Sequence, residues 1–266
     1  MIKLLKVFGL SALLLSSGLT LMAQNFTVVI NGGERIEFKQ ARFEAIEFED
    51  GHILTPSDTI PAPPVDNPDN PAVPAGLAYV DLGLESGTLW SNYNLGADSE
   101  QGMGYLFAWG ETAEKESYTW DTYVWCNGGL TSLTKYCDNM GFGDYDDLTA
   151  LEPSDDAATV LWGDEWCTPT PEQLQELKDN CEWTKTGEGE NAGYTVTGPN
   201  GNSIFLPFAG TFQDNEVNGK GTGGYYWSNK VSMLCYQAQQ LLLTSSGSFV
   251  WDADRRDGCS IRPVKK

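Results

Sequence analysis

The stretch that decides the fold is residues 162–177, WGDEWCTPTPEQLQEL. Its second half has the signals of a helix start, because the Thr170 hydroxyl can cap the first turn, Pro171 fits the first helical position and Gln173 can close a capping box. Two leucines follow at helical spacing, so the sequence predicts a helix that runs to about Asn180. The two tryptophans of the first half are expected in the core.

Around this stretch, residues 77–266 consist of short apolar runs separated by clusters of Gly, Asn, Asp and Ser. That pattern is typical of strands joined by loops. A second, weaker helix is predicted from about Ser154 to Leu161, with Asp155 and Asp156 in its positive first turn. All nine tryptophans lie in this part, which can therefore bury one substantial core. The predicted class is α+β, with short antiparallel strands, two helices and long loops.

Residues 1–24 have the layout of a secretory signal peptide. Lys3 and Lys6 precede a short apolar run that is rich in small residues, and cleavage is expected at or just after Ala23 or Gln24. The run is shorter than the roughly 20 apolar residues of a membrane span. We therefore expect an extracytoplasmic bacterial protein, secreted or at the outer cell surface, with no membrane insertion after cleavage.

Two further segments precede the main domain. Residues 25–54 alternate apolar and polar side chains around Asn31-Gly32-Gly33, which predicts a small β-hairpin module. Residues 55–76 contain seven of the thirteen prolines and form a predicted semi-rigid linker. A lone hairpin is marginally stable, so the module is expected to dock on its own domain or on a partner.

The composition excludes several classes of function. A formal net charge of −21 repels phosphate backbones, which argues against nucleic acid as a partner. The sole histidine, His52, lies outside the main domain, and this removes Ser-His-Asp and Cys-His catalysis and histidine-ligated zinc. The protein is accordingly predicted not to be an enzyme.

Six cysteines in an exported chain permit disulfides. The predicted pairs are Cys126 with Cys137, which are close in sequence, and Cys167 with Cys259, at the ends of expected core elements. Buried free thiols remain the alternative, because a domain of this size can fold without cross-links.

Seven blocks of residues 77–266 follow one another in the order seen in a known family. They are 79–90 (YVDLGLESGTLW), 105–112 (YLFAWGET), 151–158 (LEPSDDAA), 162–170 (WGDEWCTPT), 201–210 (GNSIFLPFAG), 224–228 (GYYWS) and 260–264 (SIRPV). In these blocks the chain resembles the Fibrobacter succinogenes major paralogous domain family. The resemblance implies a C-type-lectin-like fold, distantly related to that of formylglycine-generating enzymes, in secreted or surface proteins of gut-type bacteria. It further implies that C-terminal strands and loops display the ligand-contacting residues.

The C-terminal third also groups aromatic, amide and charged side chains, a combination that suits sugars and peptides. The candidate ligand-binding residues are Tyr225, Tyr226, Asn229, Tyr236, Gln237, Trp251, Asp252, Asp254 and Arg255. Core packing remains the alternative for Tyr225, Tyr236, Trp251 and Arg255. Five tryptophans are expected to fill the core instead: Trp90, Trp109, Trp162, Trp166 and Trp227.

Carboxylates raise two more hypotheses. Glu111 with Asp121 is the best pair for a glycosidase, although turn capping or ion pairing in the scaffold is the favoured interpretation. Calcium is the one cofactor left open, with no metal site assigned. Its candidate ligands are Asp144, Asp146 and Asp147, or Asp252, Asp254 and Asp257.

The leading prediction is a non-enzymatic secreted or cell-surface protein that binds a glycan or a surface protein through its C-terminal strands and loops. One alternative is a structural component that attaches to a surface assembly through the hairpin module and linker. The other alternative is a carboxylate-dependent glycosidase.

Overall fold

The structure is a computed structural model that describes residues 4–7, 10–13, 24–29, 35–41, 46–47, 53–54, 74 and 76–266. The chain divides into two units, Met1–Pro63 and Pro64–Lys266. His52, the Asn31-Gly32-Gly33 turn and most of the predicted linker lie outside the described residues. Within those residues, no helix is both long and apolar enough to cross a membrane.

Met1–Pro63 contains short strands only, as far as it is described. They are β1 (Leu4–Val7), β2 (Leu10–Leu13), β3 (Gln24–Val29), β4 (Arg35–Ala41), β5 (Ile46–Glu47) and β6 (Ile53–Leu54). β3 pairs antiparallel with β4, and Val29 opposes Arg35. This pairing is the one expected on either side of the Asn-Gly turn. The other four strands form a sheet in the order β1-β2-β5-β6, of which β1 and β2 belong to the segment predicted as a signal.

Pro64–Lys266 contains two α-helices and twelve strands in its described residues. The helices are α1 (Ala157–Trp162) and α2 (Pro171–Asn180). The strands are β7 (Tyr79–Asp81), β8 (Leu89–Ser91), β9 (Trp166–Cys167), β10 (Glu182–Thr186), β11 (Gly193–Thr197), β12 (Ser203–Pro207), β13 (Thr211–Gln213), β14 (Glu216–Asn218), β15 (Gly224–Val231), β16 (Gln237–Thr244), β17 (Gly247–Asp254) and β18 (Val264–Lys265).

These strands form four small antiparallel sheets, with the orders β7-β8-β18-β9, β10-β11-β12, β13-β14 and β15-β16-β17. Val264 in β18 lies opposite both Trp90 in β8 and Cys167 in β9, so one sheet joins the beginning and the end of the domain. The α+β class expected for residues 77–266, short antiparallel strands with two helices, is confirmed.

Helix α2 has the predicted start and end. Thr170 Oγ1 accepts a hydrogen bond from Gln173 N at 3.2 Å, and Gln173 Oε1 accepts one from Thr170 N at 2.8 Å. Pro171 occupies the first turn, where its missing N–H costs nothing. The capping box therefore forms as the local sequence predicts.

Helix α1 begins later than predicted. Pro153–Asp155 forms a separate 3-10 turn, and Asp156 caps the helix instead of lying in its first turn. The Asp156 carboxylate accepts hydrogen bonds from Ala158 N at 3.0 Å and from Thr168 Oγ1 at 2.7 Å. Thr168 lies outside the helix, and its contact with Asp156 fixes the start of α1. The local sequence pattern does not indicate this contact.

The core predictions for tryptophan are confirmed. Trp90, Trp109, Trp162, Trp166 and Trp227 are all buried. Strand β15 divides the core, because Trp227 packs in one cluster and its neighbour Tyr226 packs in another. A third cluster, which includes Tyr118, Cys137 and Cys235, is formed mostly by side chains of residues 118–137. Strands β15 and β16 of the sheet β15-β16-β17 therefore contribute to the core on both faces.

The capping box allows a test of the helix start. Thr170→Ala removes the hydroxyl acceptor and should lower the free energy of unfolding by about 1 kcal/mol. Thr184→Ala, at an exposed position of β10, is the control and should change it by about 0.5 kcal/mol or less. Urea unfolding measures both values, and equal effects of the two substitutions would contradict the assignment.

Candidate binding surface

The register of the C-terminal sheet places aromatic side chains in rows across one face. Tyr225 of β15 lies opposite Leu242 of β16, which lies opposite Phe249 of β17. Directly opposed residues of antiparallel strands point to the same face. The row ends at β17, an edge strand of this sheet.

The next row leads from the core to the surface. Trp227 is buried and donates from Nε1 to Phe107 O at 2.7 Å. It lies opposite Gln240, also buried, and Gln240 lies opposite Trp251, which is 64% exposed. One end of the row is therefore fixed by packing, and the other end presents an indole to solvent.

We name Tyr225, Leu242, Phe249 and Trp251 the aromatic face. Phe249 is 45% exposed, while Tyr225 and Leu242 are half-buried. Thr244, two residues beyond Leu242, points to the same side, and its hydroxyl lies 2.9 Å from that of Ser246. The aromatic face thus combines flat apolar rings with hydroxyl groups at its rim.

The predicted acidic contacts lie on the other side of β17. Asp252 is exposed and opposes Gln239, and Asp254 opposes Gln237. Gln237 Nε2 donates to Asp254 Oδ1 at 3.3 Å. Because side chains alternate along a strand, these groups do not share a surface with Trp251.

Three other predicted residues have packing roles. Tyr226 is buried and donates its hydroxyl hydrogen to Pro207 O at 2.6 Å. Tyr236 is half-buried against Phe142, with ring centroids 5.0 Å apart. Asn229 is half-buried and its backbone N–H donates to Pro169 O at 2.8 Å. The expectation that Tyr226 faces a ligand is wrong, because its side chain is 1% exposed.

Arg255 is likewise buried, so the expectation that it contacts a ligand is wrong. Its guanidinium donates to Tyr123 Oη at 2.9 Å and to three backbone carbonyls, those of Lys135, Tyr136 and Cys235, at 3.0, 3.0 and 2.7 Å. It also lies 4.9 Å from the Trp109 ring centroid. A buried charge is tolerated only when its hydrogen bonds are satisfied, and here carbonyl oxygens and aromatic rings satisfy them.

Glu111 supports the scaffold rather than a glycosidase pair. Its Oε1 accepts hydrogen bonds from Lys115 Nζ at 2.7 Å and from Val124 N at 3.0 Å. Burial raises the pKa of Glu111, and Lys115 opposes that rise. Asp121 is exposed, and in the described residues no hydrogen bond joins it to Glu111. The favoured interpretation, a carboxylate that caps a turn and forms an ion pair, fits this geometry.

The acidic clusters do not form a metal site in the described part of the chain, where no group of three potential ligands converges. Asp146 is occupied by backbone donors, from Tyr136 N at 2.7 Å and from Cys137 N at 2.9 Å. Asp257 Oδ2 accepts from Gln213 Nε2 at 2.6 Å, and its Oδ1 lacks a hydrogen-bond partner among the described residues.

All six cysteines are free thiols in the structure. The sulfur beside Cys137 belongs to Cys235, not to Cys126, whose own thiol donates to Trp120 O at 2.9 Å. Cys259 donates to Gln240 Oε1 at 3.4 Å, and Cys167 lies in β9 opposite Val264. Neither predicted disulfide, Cys126 with Cys137 or Cys167 with Cys259, is therefore present.

A cleft that the sequence did not reveal lies between residues 103–118 and the β13–β14 hairpin. Its volume is about 560 Å³, and Leu106, Tyr118 and Phe212 line it together with Lys115 and Lys220. Both lysines are engaged in ion pairs with glutamates, Glu111 and Glu190 respectively. The cleft therefore combines an apolar wall with the carboxylates of Glu114 and Glu116, and no local sequence pattern indicates it.

No protein-family model, curated relative or solved structure matches this chain.

The role of Arg255 can be tested against its neighbour. Arg255→Lys keeps the charge but loses the planar fork of donors, and we expect the free energy of unfolding to fall by about 3 kcal/mol. Arg256→Lys, at a surface ion pair with Asp214, should cost about 1 kcal/mol or less. Chemical denaturation compares the two variants, and similar losses would contradict the buried-carbonyl assignment.

Asp257 should make the stability of the fold depend on pH. Burial raises its pKa from 3.8 to about 6, Asp254 adds to the rise, and Gln213 and Arg256 oppose it. Between these two values the folded carboxyl keeps a proton that the unfolded one has lost, so stability falls as the pH rises through this window.

Asp257→Asn should remove this contribution, so that the variant loses less stability than the wild type between about pH 4 and pH 7. Thermal unfolding over that range measures the difference, with Asp252→Asn at an exposed position as the control. A variant profile parallel to that of the wild type would show that Asp257 does not titrate in this window.

Proposed function

We propose that this chain is a non-enzymatic secreted or cell-surface protein that recognises its ligand through the aromatic face. The observation behind the proposal is the exposure of Trp251 beside Phe249 on the edge strand β17 of a sheet whose other two strands are packed. Large aromatic side chains are seldom left exposed together without a binding role. Pairing with the packed strand β16 fixes the backbone that carries both rings before a ligand arrives.

The proposed fold for residues 77–266 is C-type-lectin-like. In its support, the domain combines two helices with several small antiparallel sheets, and residues 92–150 form a long stretch without a regular strand. The tryptophans of the resembling blocks are buried, which is what a shared core would require. The proposed binding strands β15–β17 are the C-terminal strands that the resemblance implies.

The chemistry of the aromatic face favours a neutral glycan as the ligand. Flat rings offer stacking area, and the Thr244 and Ser246 hydroxyls can exchange hydrogen bonds with sugar hydroxyls. The strongly negative net charge disfavours sulfated or sialylated sugars by repulsion. A surface protein with an uncharged contact patch is the alternative ligand. We also propose that the N-terminal segment directs export of the chain to the cell exterior, where it would meet either kind of ligand.

The test uses an array of neutral and acidic glycans probed with the full chain. We expect binding to neutral glycans, and a loss of affinity of about tenfold or more in Trp251→Ala, because a central aromatic contact contributes at least about 1.4 kcal/mol. Bound ligand should also shield a fraction of the tryptophan fluorescence from acrylamide quenching in the wild type but not in the variant.

Met233→Ala is the matched control, since Met233 is 96% exposed in the turn between β15 and β16 but lies off the aromatic face. It should bind as the wild type does. Binding that survives Trp251→Ala, or silence on both glycan and protein arrays, would overturn the proposal. Capture of a protein ligand that depends on Trp251 would keep the surface but replace the glycan.

A further inference from the structure

Two cysteines that are far apart in the sequence meet in the core. Cys137 Sγ and Cys235 Sγ lie 3.0 Å apart, across a sequence separation of 98 residues, and both side chains are fully buried. A disulfide bond is about 2.05 Å long, so the two sulfurs need to approach by about 1 Å to be joined. In the described residues no other two sulfurs are in contact.

The backbone on both sides of this pair is held in place by one side chain. Arg255 Nη1 donates to Tyr136 O at 3.0 Å, directly before Cys137, and to Cys235 O at 2.7 Å. The N–H of Cys137 is fixed separately, by Asp146 Oδ1 at 2.9 Å. The two backbone segments are therefore held side by side, and the sulfurs face each other across a gap of about 1 Å beyond the bond length.

We propose that Cys137 and Cys235 form a disulfide when the chain meets an oxidant that is itself a disulfide, such as oxidised glutathione or an exchange enzyme. The thiolate of one cysteine attacks the oxidant and expels one of its sulfurs as a thiolate. The second cysteine thiolate then attacks the mixed disulfide, forms the Cys137–Cys235 bond and releases the other oxidant sulfur. The cysteines lose two electrons, the oxidant gains them, and its two thiolates take up the two protons.

The surroundings of Cys235 determine when this reaction is fast. Burial raises the pKa of Cys235 to about 12, so the folded thiol is protonated and a poor nucleophile. Met233 and Leu234, directly before it, are exposed in the turn between β15 and β16. Oxidation is therefore expected during folding, or when this turn opens, and an exporting cell provides the oxidant at that stage.

The experiment oxidises the purified, reduced full chain with oxidised glutathione during refolding from urea. We expect alkylation and mass spectrometry to show two fewer free thiols, and peptide mapping to find Cys137 linked to Cys235. A cross-link over so long a loop should raise the melting temperature by about 5–15 °C relative to the same protein in reductant. This comparison needs no variant and so does not depend on a mutant's ability to fold.

Two variants supply the controls. Cys181→Ser removes a half-buried thiol at the end of α2 and should leave the oxidative shift unchanged. Cys235→Ser should abolish the shift, if it folds. Six alkylatable thiols after oxidative refolding, a link from Cys137 to Cys126, or stable glutathione adducts in place of the internal bond would each overturn the proposal.

Discussion

The buried guanidinium of Arg255 imposes the strictest constraint on this fold. A charge in the core must be surrounded by acceptors, and here they are the carbonyls of Lys135, Tyr136 and Cys235 together with the Tyr123 hydroxyl. The first two carbonyls come from residues 92–150, a segment without regular strands whose own backbone hydrogen bonds, such as Leu133 N to Phe142 O at 2.9 Å, are mostly local. The Arg255 side chain adds long-range hydrogen bonds that join this segment to the residues around β16 and β17.

A second arginine, Arg262, is also buried, and its guanidinium is hydrogen-bonded to a different set of acceptors in the domain. Arg262 is buried and donates to Asn94 Oδ1 at 2.9 Å, Ser91 O at 3.0 Å and Phe205 O at 2.6 Å. Burial lowers its pKa to about 10, which still leaves the group charged at neutral pH. Arg255 therefore contacts the irregular segment 92–150, whereas Arg262 joins strands β8 and β12 to the chain just before β18.

Local signals explain what the sequence could predict. The start of α2 depends on three adjacent residues, and the burial of five tryptophans follows from their size and neighbours. Arg255 and Arg256 are adjacent and have the same side chain, yet only Arg255 is buried. Two of its carbonyl partners, Lys135 and Tyr136, lie more than a hundred residues away in the sequence, where no local pattern can indicate them. The partner of Cys137 and the contact of Thr168 with Asp156, the cap of α1, escaped prediction for the same reason, since tertiary contacts set them.

The sheet β7-β8-β18-β9 has a consequence for engineering. Tyr79 near the start of the domain lies beside the last strand, where the Lys265 ammonium is 4.8 Å from the Tyr79 ring centroid. Neighbouring ends permit circular permutation, in which a short linker joins them and new ends are opened elsewhere. The exposed turn between β16 and β17, at Ser245 and Ser246, is a natural place for such an opening. The domain could then be displayed with its aromatic strand adjoining a free terminus.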